Sequence, residues 1–430
     1  MTNSETKNFS QNVSSSYHLG GKSSNECKKD SLNIPKLRFK GYNEEWKHYR
    51  LKDIVQIYDG THQTPNYIDD GIKFVSVENI NNLDKTNKYI SREDYEKDFK
   101  IKPEINDILM TRIGDIGTPA IINTNERYAY YVSLALLKSN YAILSPKFLI
   151  QRISSEQFQH ELWKRTLHVA FPKKINKNEI GECNVFIPSL PEQEKIASFL
   201  TLIDKKIEKQ KELVELLKKY KRGLLSQIFS QKLRFKDENG NNYPDWEEKR
   251  LGDICTIIGG GTPDTNNDKY WGDDINWFTP TEIIKKYVDC SNRKISNLGL
   301  LKSSAKILPI GTVLLTTRAT LGEMSILQIE ATTNQGFQSL IPNKNLVTSE
   351  FIYYCQPIIK YYCYKYANGS TFLEISKQSL AKLKLKIPYL NEQNKISEYL
   401  SKFDNKIQQE ESRLNYLQMY KKGLLQQMFI

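Results

Sequence analysis

At 430 residues the chain can hold two or more domains with cores of their own, and its net charge of +12 is spread along its length with no basic tail. No apolar run approaches the roughly 18 residues of a membrane span, and the polar start predicts no secretory signal. The six cysteines are scattered without a Cys-x-x-Cys pair, which argues against a disulfide framework or a zinc site and suits a reducing cytosol.

In chain order, residues 1–33 are rich in Ser, Asn and Lys with little apolar spacing, and are read as a disordered leader. Gly20-Gly21-Lys22-Ser23 has the end of a phosphate-binding loop, but Ser16 stands where its first glycine belongs, so it is a false match. Residues 34–189 form a first module, 190–230 a long helix, 231–389 a second module and 390–430 a second long helix. Within the modules, β-branched and aromatic runs read as strands of a small mixed sheet. In the first these are Ile72–Val77, Asp107–Arg112, Ala120–Ile122 and Tyr130–Leu137. In the second they are Ile275–Phe278, Thr312–Thr317, Met324–Leu327 and Phe337–Ile341. A helical patch follows each set, near Lys147–Leu162 and Ser349–Tyr362. Each half is therefore an α+β globule followed by one long helix.

The halves are copies. Residues 187–230 and 387–430 align without a gap with 19 of 44 positions identical, among them Glu192/Glu392, Gln193/Gln393 and Asp204/Asp404. The module starts repeat too: Lys-Leu-Arg-Phe-Lys occurs at 36–40 and again at 232–236, and Trp46, Arg50, Leu51, Asp53 and Ile54 match Trp246, Arg250, Leu251, Asp253 and Ile254 at the same offset as the helices. Apolar residues in each helix fall at steps of four and three, as in Ile196, Leu200, Ile203, Ile207 and Ile396, Leu400, Phe403, Ile407. That is a coiled-coil seam about 58 Å long, and the obvious partner of one seam is the other. Both seams are interrupted at Gln210/Glu410 and Lys221/Lys421, candidate register or docking points. Gly223 and Gly423 suggest a bend or a close approach by a partner.

No catalytic set is evident: there is no methyltransferase Asn/Asp-Pro-Pro-aromatic string, no nucleophile in a known context and no metal-ligand spacing. Pro244-Asp245 and Glu247-Glu248-Lys249 carry the letters of a nuclease motif too close together to draw on separate strands. The loops instead hold groups that read base edges: Asn and Gln for adenine, Arg for guanine, Thr for either. Candidates are Thr61, His62, Gln63, Thr64, Asn66, Arg112, Lys173 and Lys174 in the first module. In the second they are Thr262, Thr265, Asn266, Asn267, Arg318, Thr320, Asn334, Gln335, Ser370 and Thr371. Arg112 and Arg318 lead, because each follows a Thr at the end of an apolar run, although a structural salt bridge is an alternative for both. Asn79 and Glu282 read as loop anchors.

Two globules, each followed by a Glu-Gln-headed helix, resemble the specificity subunit of type I restriction-modification systems. The resemblance is carried by Leu190-Pro191-Glu192-Gln193-x-x-Ile196 with Gly223-Leu224-Leu225, by the second copy at 390–425, by Trp246 to Ile254, by Gly261-Thr262-Pro263 with Tyr270-Trp271-Gly272, and by Asn334-Gln335-Gly336-Phe337. It implies two duplicated α/β target-recognition domains separated by an antiparallel coiled coil of two long helices. Each domain would read one half of a bipartite, asymmetric double-stranded DNA target. Two methyltransferase subunits and further restriction/translocase subunits would be the protein partners, in the cytoplasm. S-adenosylmethionine, ATP and Mg would belong to those partners, leaving this chain without cofactor or catalytic residue. A self-contained restriction or modification enzyme and a coiled-coil protein scaffold are the alternatives.

Overall fold

The computed structural model describes residues 33–318, 320–368 and 373–430. The leader expected at 1–33 therefore lies outside the described residues except for Asn33. The chain forms two compact units, and they are not consecutive halves. One comprises the described residues up to Glu212 together with Ser412–Ile430; the other is Leu213–Glu411.

In the first unit the module start Lys47–Arg50 runs antiparallel to the strand Asn184–Ile187, which leads directly into the long helix. In the second unit Glu247–Arg250 pairs with Lys384–Ile387 in the same register. The main sheet of the first unit has the order Val55–Asp59, Leu134–Ser139, Ile108–Ile113, Asp115–Ile121. A three-stranded sheet (Tyr89–Ile90, Ile72–Val75, Tyr128–Tyr130) adjoins it through the core around Phe74, Tyr128 and Leu134. The second unit orders Cys255–Gly259, Gln338–Pro342, Val313–Leu315, Met324–Leu327, Tyr287–Val288 in one sheet, and Arg293–Ile295, Trp271–Phe278, Thr332–Thr333 in another. Each expected helical patch is two helices, Pro146–Ile153 with Glu156–Arg165 and Ser349–Tyr354 with Gln356–Tyr366. In the first, Ser155 caps the new helix by accepting from Phe158 N, which a periodicity of apolar residues does not reveal.

The long helices are Leu190–Phe229 and Leu390–Met428. Forty residues give a rod of about 60 Å. A proline-free interior after Pro191 and the spaced leucines make each continuous. Their repeated Glu-Gln heads are docking devices. Glu192 is buried and takes two hydrogen bonds from Arg38, from Nε at 2.7 Å and Nη2 at 2.8 Å. Glu392 takes the same pair from Arg234, at 2.8 and 3.0 Å, and a third from the Trp246 indole at 3.1 Å. The duplicated Lys-Leu-Arg-Phe-Lys strings supply these arginines, and their Leu37, Phe39, Leu233 and Phe235 pack against the two cores. Gln193 accepts from Ser145 N at 2.9 Å and donates to the carbonyls of Ile143 and Pro188, each at 2.9 Å. Gln393 does the same with Thr348, Leu346 and Pro388.

Helix tails pack in the unit of the other copy. Leu424, Leu425, Met428 and Phe429 share a core with Trp46, Phe148, Ile196 and Leu200. Leu224 and Ile228 share one with Trp246, Phe351, Ile396 and Leu400. In the second unit Lys218 meets Glu411 at 2.8 Å and Lys221 meets Asp404, so residue numbers rise on one helix as they fall on the other and the segments are antiparallel. In the first unit the matching pair is Lys421–Asp204 at 2.6 Å. The seam lysines thus find the repeated aspartates of the opposite copy. Gln210 and Glu410 are buried, and Glu410 is paired with Lys406 at 2.6 Å. At Gly223 and Gly423 an added Cβ would meet open space, so nothing in this chain requires glycine there.

Candidate nucleic-acid interface

In each unit the candidate loops gather at one end of the main sheet because the same strand exits lead to them. In the first unit, Gly60 follows the strand Val55–Asp59 and lets the backbone lie against its neighbour; a Cβ would sit 2.4 Å from the Tyr130 carbonyl. Thr61 then bonds across the gap, its N to Tyr130 O at 3.1 Å and its O from Val132 N at 2.9 Å. His62, Gln63, Thr64 and Asn66 follow as exposed residues. The exit of Ile108–Ile113 lies beside them: Arg112 N donates to Ser133 O at 2.9 Å, and Gly114 N donates to Lys173 O at 2.8 Å. Exposed Lys173 and Lys174 are thereby brought to the same end.

The second unit repeats this plan. Gly260 is more tightly held than Gly60, with a Cβ position 1.9 Å from Asn334 O. Gly261 N donates to Thr333 O at 2.8 Å, and Thr317 N to Gly336 O at 2.7 Å. Thr262 donates to the Gln335 side chain, and Asn334 Oδ1 accepts from Gly336 N at 2.8 Å. Thr262, Asn334, Gln335, Arg318 and Thr320 therefore cluster around one turn. Thr265 and Asn266 are exposed farther along the loop, while Asn267 caps the turn Asp268–Tyr270 by accepting from Lys269 N at 3.1 Å. Ser370 and Thr371 lie outside the described residues.

The two leading arginines are not equivalents. Thr111 Oγ1 accepts from Thr118 N, and Thr316 Oγ1 accepts from Glu323 N, each at 2.9 Å and each seven residues on. This makes Thr111 the counterpart of Thr316, so Arg112 corresponds to Thr317 and Arg318 to Ile113. A one-residue offset on a strand sends a side chain to the opposite face. The Arg112 side chain is accordingly only 8% exposed, paired with Asp59 and donating from Nε to the Ile175 carbonyl at 3.1 Å. It holds two loops together from inside, which is the structural salt bridge given above as the alternative reading of Arg112. Arg318 is 45% exposed and forms a 2.8 Å pair with Glu374. Asn79 and Glu282 are loop anchors: Asn79 Oδ1 accepts from Ser76 N at 3.1 Å, and Glu282 accepts from Thr279 N at 2.7 Å and Asn292 N at 2.6 Å.

One exposed cation escaped the sequence reading. Arg293 lies with its guanidinium carbon 3.6 Å from the centroid of the Trp271 ring, and Trp271 meets Trp277 edge-on at 5.1 Å. Trp277 donates to Gly261 O at 2.9 Å, tying this stack to the turn that carries Thr262. Arg293 belongs to no repeated string, so only its tertiary stacking marks it. Burial pushes the thiols of Cys183, Cys255 and Cys363 up to about 12, which leaves them unreactive. Among the described residues no group of His, Cys, Asp and Glu is placed to hold a metal ion, and no helix is long and apolar enough to cross a membrane.

The family model for the type I restriction modification DNA specificity domain matches the chain twice, over residues 43–218 and 243–419. The chain belongs to this specificity family. Among its relatives is the type I restriction enzyme MjaIX specificity subunit of Methanocaldococcus jannaschii, 35% identical over 208 residues. That match spans about half of each protein, 47% of this chain and 48% of the relative. The putative type I restriction enzyme MjaX specificity subunit of the same organism is 24% identical over 91% of this chain and 95% of its own length. Among solved structures, the S subunit of a type I restriction-modification system from M. genitalium superposes with a TM-score of 0.55 at 17% identity, covering 92% of this chain and 99% of that one. The specificity-family fold, two duplicated modules with long helices, is thus the fold of this chain. Each of the two family matches contains one of the loop clusters described above.

Proposed function

We propose that this chain is the DNA-specificity subunit of a type I restriction-modification complex. Each module reads one half of a bipartite, asymmetric target in double-stranded DNA. The observation that carries this reading is the pair of family matches, each enclosing a cluster of side chains with groups able to pair with base edges, on a shared frame with unlike loops. Shared frames with divergent loops suit two related sites of different specificity. The paired helices set the unread spacer and dock two methyltransferase subunits, and restriction/translocase subunits complete the complex. S-adenosylmethionine, ATP and Mg are held by those partners, and catalysis is theirs. Thr61, His62, Gln63, Thr64, Asn66, Lys173 and Lys174 serve the first half-site. Thr262, Thr265, Asn266, Asn267, Arg318, Thr320, Asn334 and Gln335 serve the second, joined by Arg293.

Mapping modified bases across the genome with and without this gene tests the proposal. A bipartite motif should vanish with the gene; unchanged modification rejects the role. Arg318 gives the residue-level test. In the complex, Arg318→Ala should lose about 1–3 kcal/mol of discrimination at one position of one half-site, and Lys should not restore it because it lacks the planar fork. Equal weakening on all DNAs would make Arg318 a phosphate contact instead.

A further inference from the structure

Residues 162–178 carry Lys164, Arg165, Lys173, Lys174 and Lys177 and no Asp or Glu. Within them, 167–174 fold back as a hairpin closed by a bridge between Leu167 and Lys174, with Leu167 N donating to Lys174 O at 2.8 Å. The hairpin is pinned to the recognition end of the first unit. Lys174 bridges Ile113, Gly114 N donates to Lys173 O at 2.8 Å, and Ile175 N donates to Arg112 O at 3.0 Å. At its tip Val169 is 99% and Phe171 103% exposed. Trp163 is 60% exposed and is flanked by the rings of His160 at 5.8 Å and His168 at 5.0 Å.

A bare phenylalanine held out on an anchored hairpin, next to two lysines and with no carboxylate in sequence between Glu161 (which pairs with Lys164 and Arg165) and Glu179, has the polarity of a DNA duplex in reverse. Stacked bases offer an apolar slot bounded by phosphates, and apolar side chains are known to enter such slots and part the bases. We propose that the hairpin 167–174 is a wedge: Phe171 inserts between stacked base pairs at the half-site bound by the first module, with Lys173 and Lys174 on the flanking phosphates. This rests on the DNA-specificity function proposed above. The second module does not share the charge. There Asn368 and Glu374 close the corresponding loop, and Glu374 stands where the first module has Lys174 and pairs with Arg318. The proposal is accordingly made for the first half-site, where lysines flank the tip.

The test uses the chain assembled with its methyltransferase on target DNAs in which thymine is placed in turn at each step in and beside the first half-site. Permanganate attacks unstacked thymines, and reactivity that the methyltransferase itself induces is common to all variants. Wild-type chain should make one further step reactive. Phe171→Ala should abolish that signal and weaken specific binding about 10- to 100-fold, the stacking contribution of one aromatic ring. Phe171→Leu should keep part of both, and discrimination at the second half-site should not change. An identical permanganate pattern for wild type and Phe171→Ala overturns the wedge. So does loss of the methyltransferase from the variant in gel filtration without DNA, which would make the tip a protein contact. If even the wild-type assembly binds all sequences alike, the specificity function itself fails, an outcome distinct from the first two.

Discussion

Replacing Glu192 with alanine destabilises the first unit by about 3–5 kcal/mol, the cost of removing one partner from a buried ion pair. The Glu192 carboxylate is 1% and the Arg38 side chain 10% exposed, so the abandoned guanidinium has little access to water. Arg38 Nη1 already has no partner, and the substitution would orphan the rest of the group. The loss is also architectural, because this pair fixes the head of the long helix to the start of the module. Hydrogen exchange followed separately over 33–212 and 213–411 reads the effect: amides of the first stretch should exchange from a far less stable state while those of the second stay protected. A cost under about 1 kcal/mol would show that the pair is spectator to the docking. Joint replacement, Arg38→Met with Glu192→Leu, should recover most of the stability, since the desolvation of both charges disappears with them.

Gly260→Ala should abolish base discrimination at the second half-site while the first is still read. The new methyl group would lie 1.9 Å from Asn334 O and 2.4 Å from Thr333 Oγ1, a clash that side-chain motion cannot relieve because the nearest atom is backbone. The turn carrying Asn334 and Gln335 must move away from Thr262, which now donates to Gln335. Each bidentate base contact displaced in this way is worth about 1–3 kcal/mol of discrimination. Overpacking adds about 1–3 kcal/mol of lost stability, which leaves the unit folded. Competition binding with DNAs substituted in one half-site at a time measures it. Undiminished penalties for substitutions in the second half-site would mean that the 260–262 and 334–336 turns do not touch bases.

What the sequence made legible was the repetition and its period. A helix advertises itself through spaced leucines, and a duplication through identical letters, so the two α+β modules and the two long helices were accessible from local pattern alone. Glu192 and Gln193 stood out as repeated letters, but their reason did not, because Arg38 and Ser145 lie far away in sequence. Lys221 and Lys421 could be marked as register or docking points, but their partners Asp404 and Asp204 are set by tertiary structure. The equivalence of Arg112 and Arg318 failed for a specific reason. An alignment by residue type matched two Thr-Arg pairs, whereas the hydrogen bonds of Thr111 and Thr316 set the register one residue away, and in a strand that decides inside from outside. Among the described loops, the sequence could nominate side chains by chemistry, but exposure separated Arg318 from Arg112 and revealed Arg293 and Phe171.

The composition of the two units has a consequence for how the chain is made. Leu213–Glu411 is contiguous, so every residue of the second unit has been synthesised once residue 411 is added. The first unit must wait, because Leu424, Leu425, Met428 and Phe429 complete the core that holds Trp46 and Phe148. Although domains generally fold from the N-terminus during synthesis, here the earlier-made module is the one finished last. Through the translation of about two hundred residues it carries an uncovered apolar face, and a ribosome that stalls before residue 412 releases a chain in which only the later module can be whole.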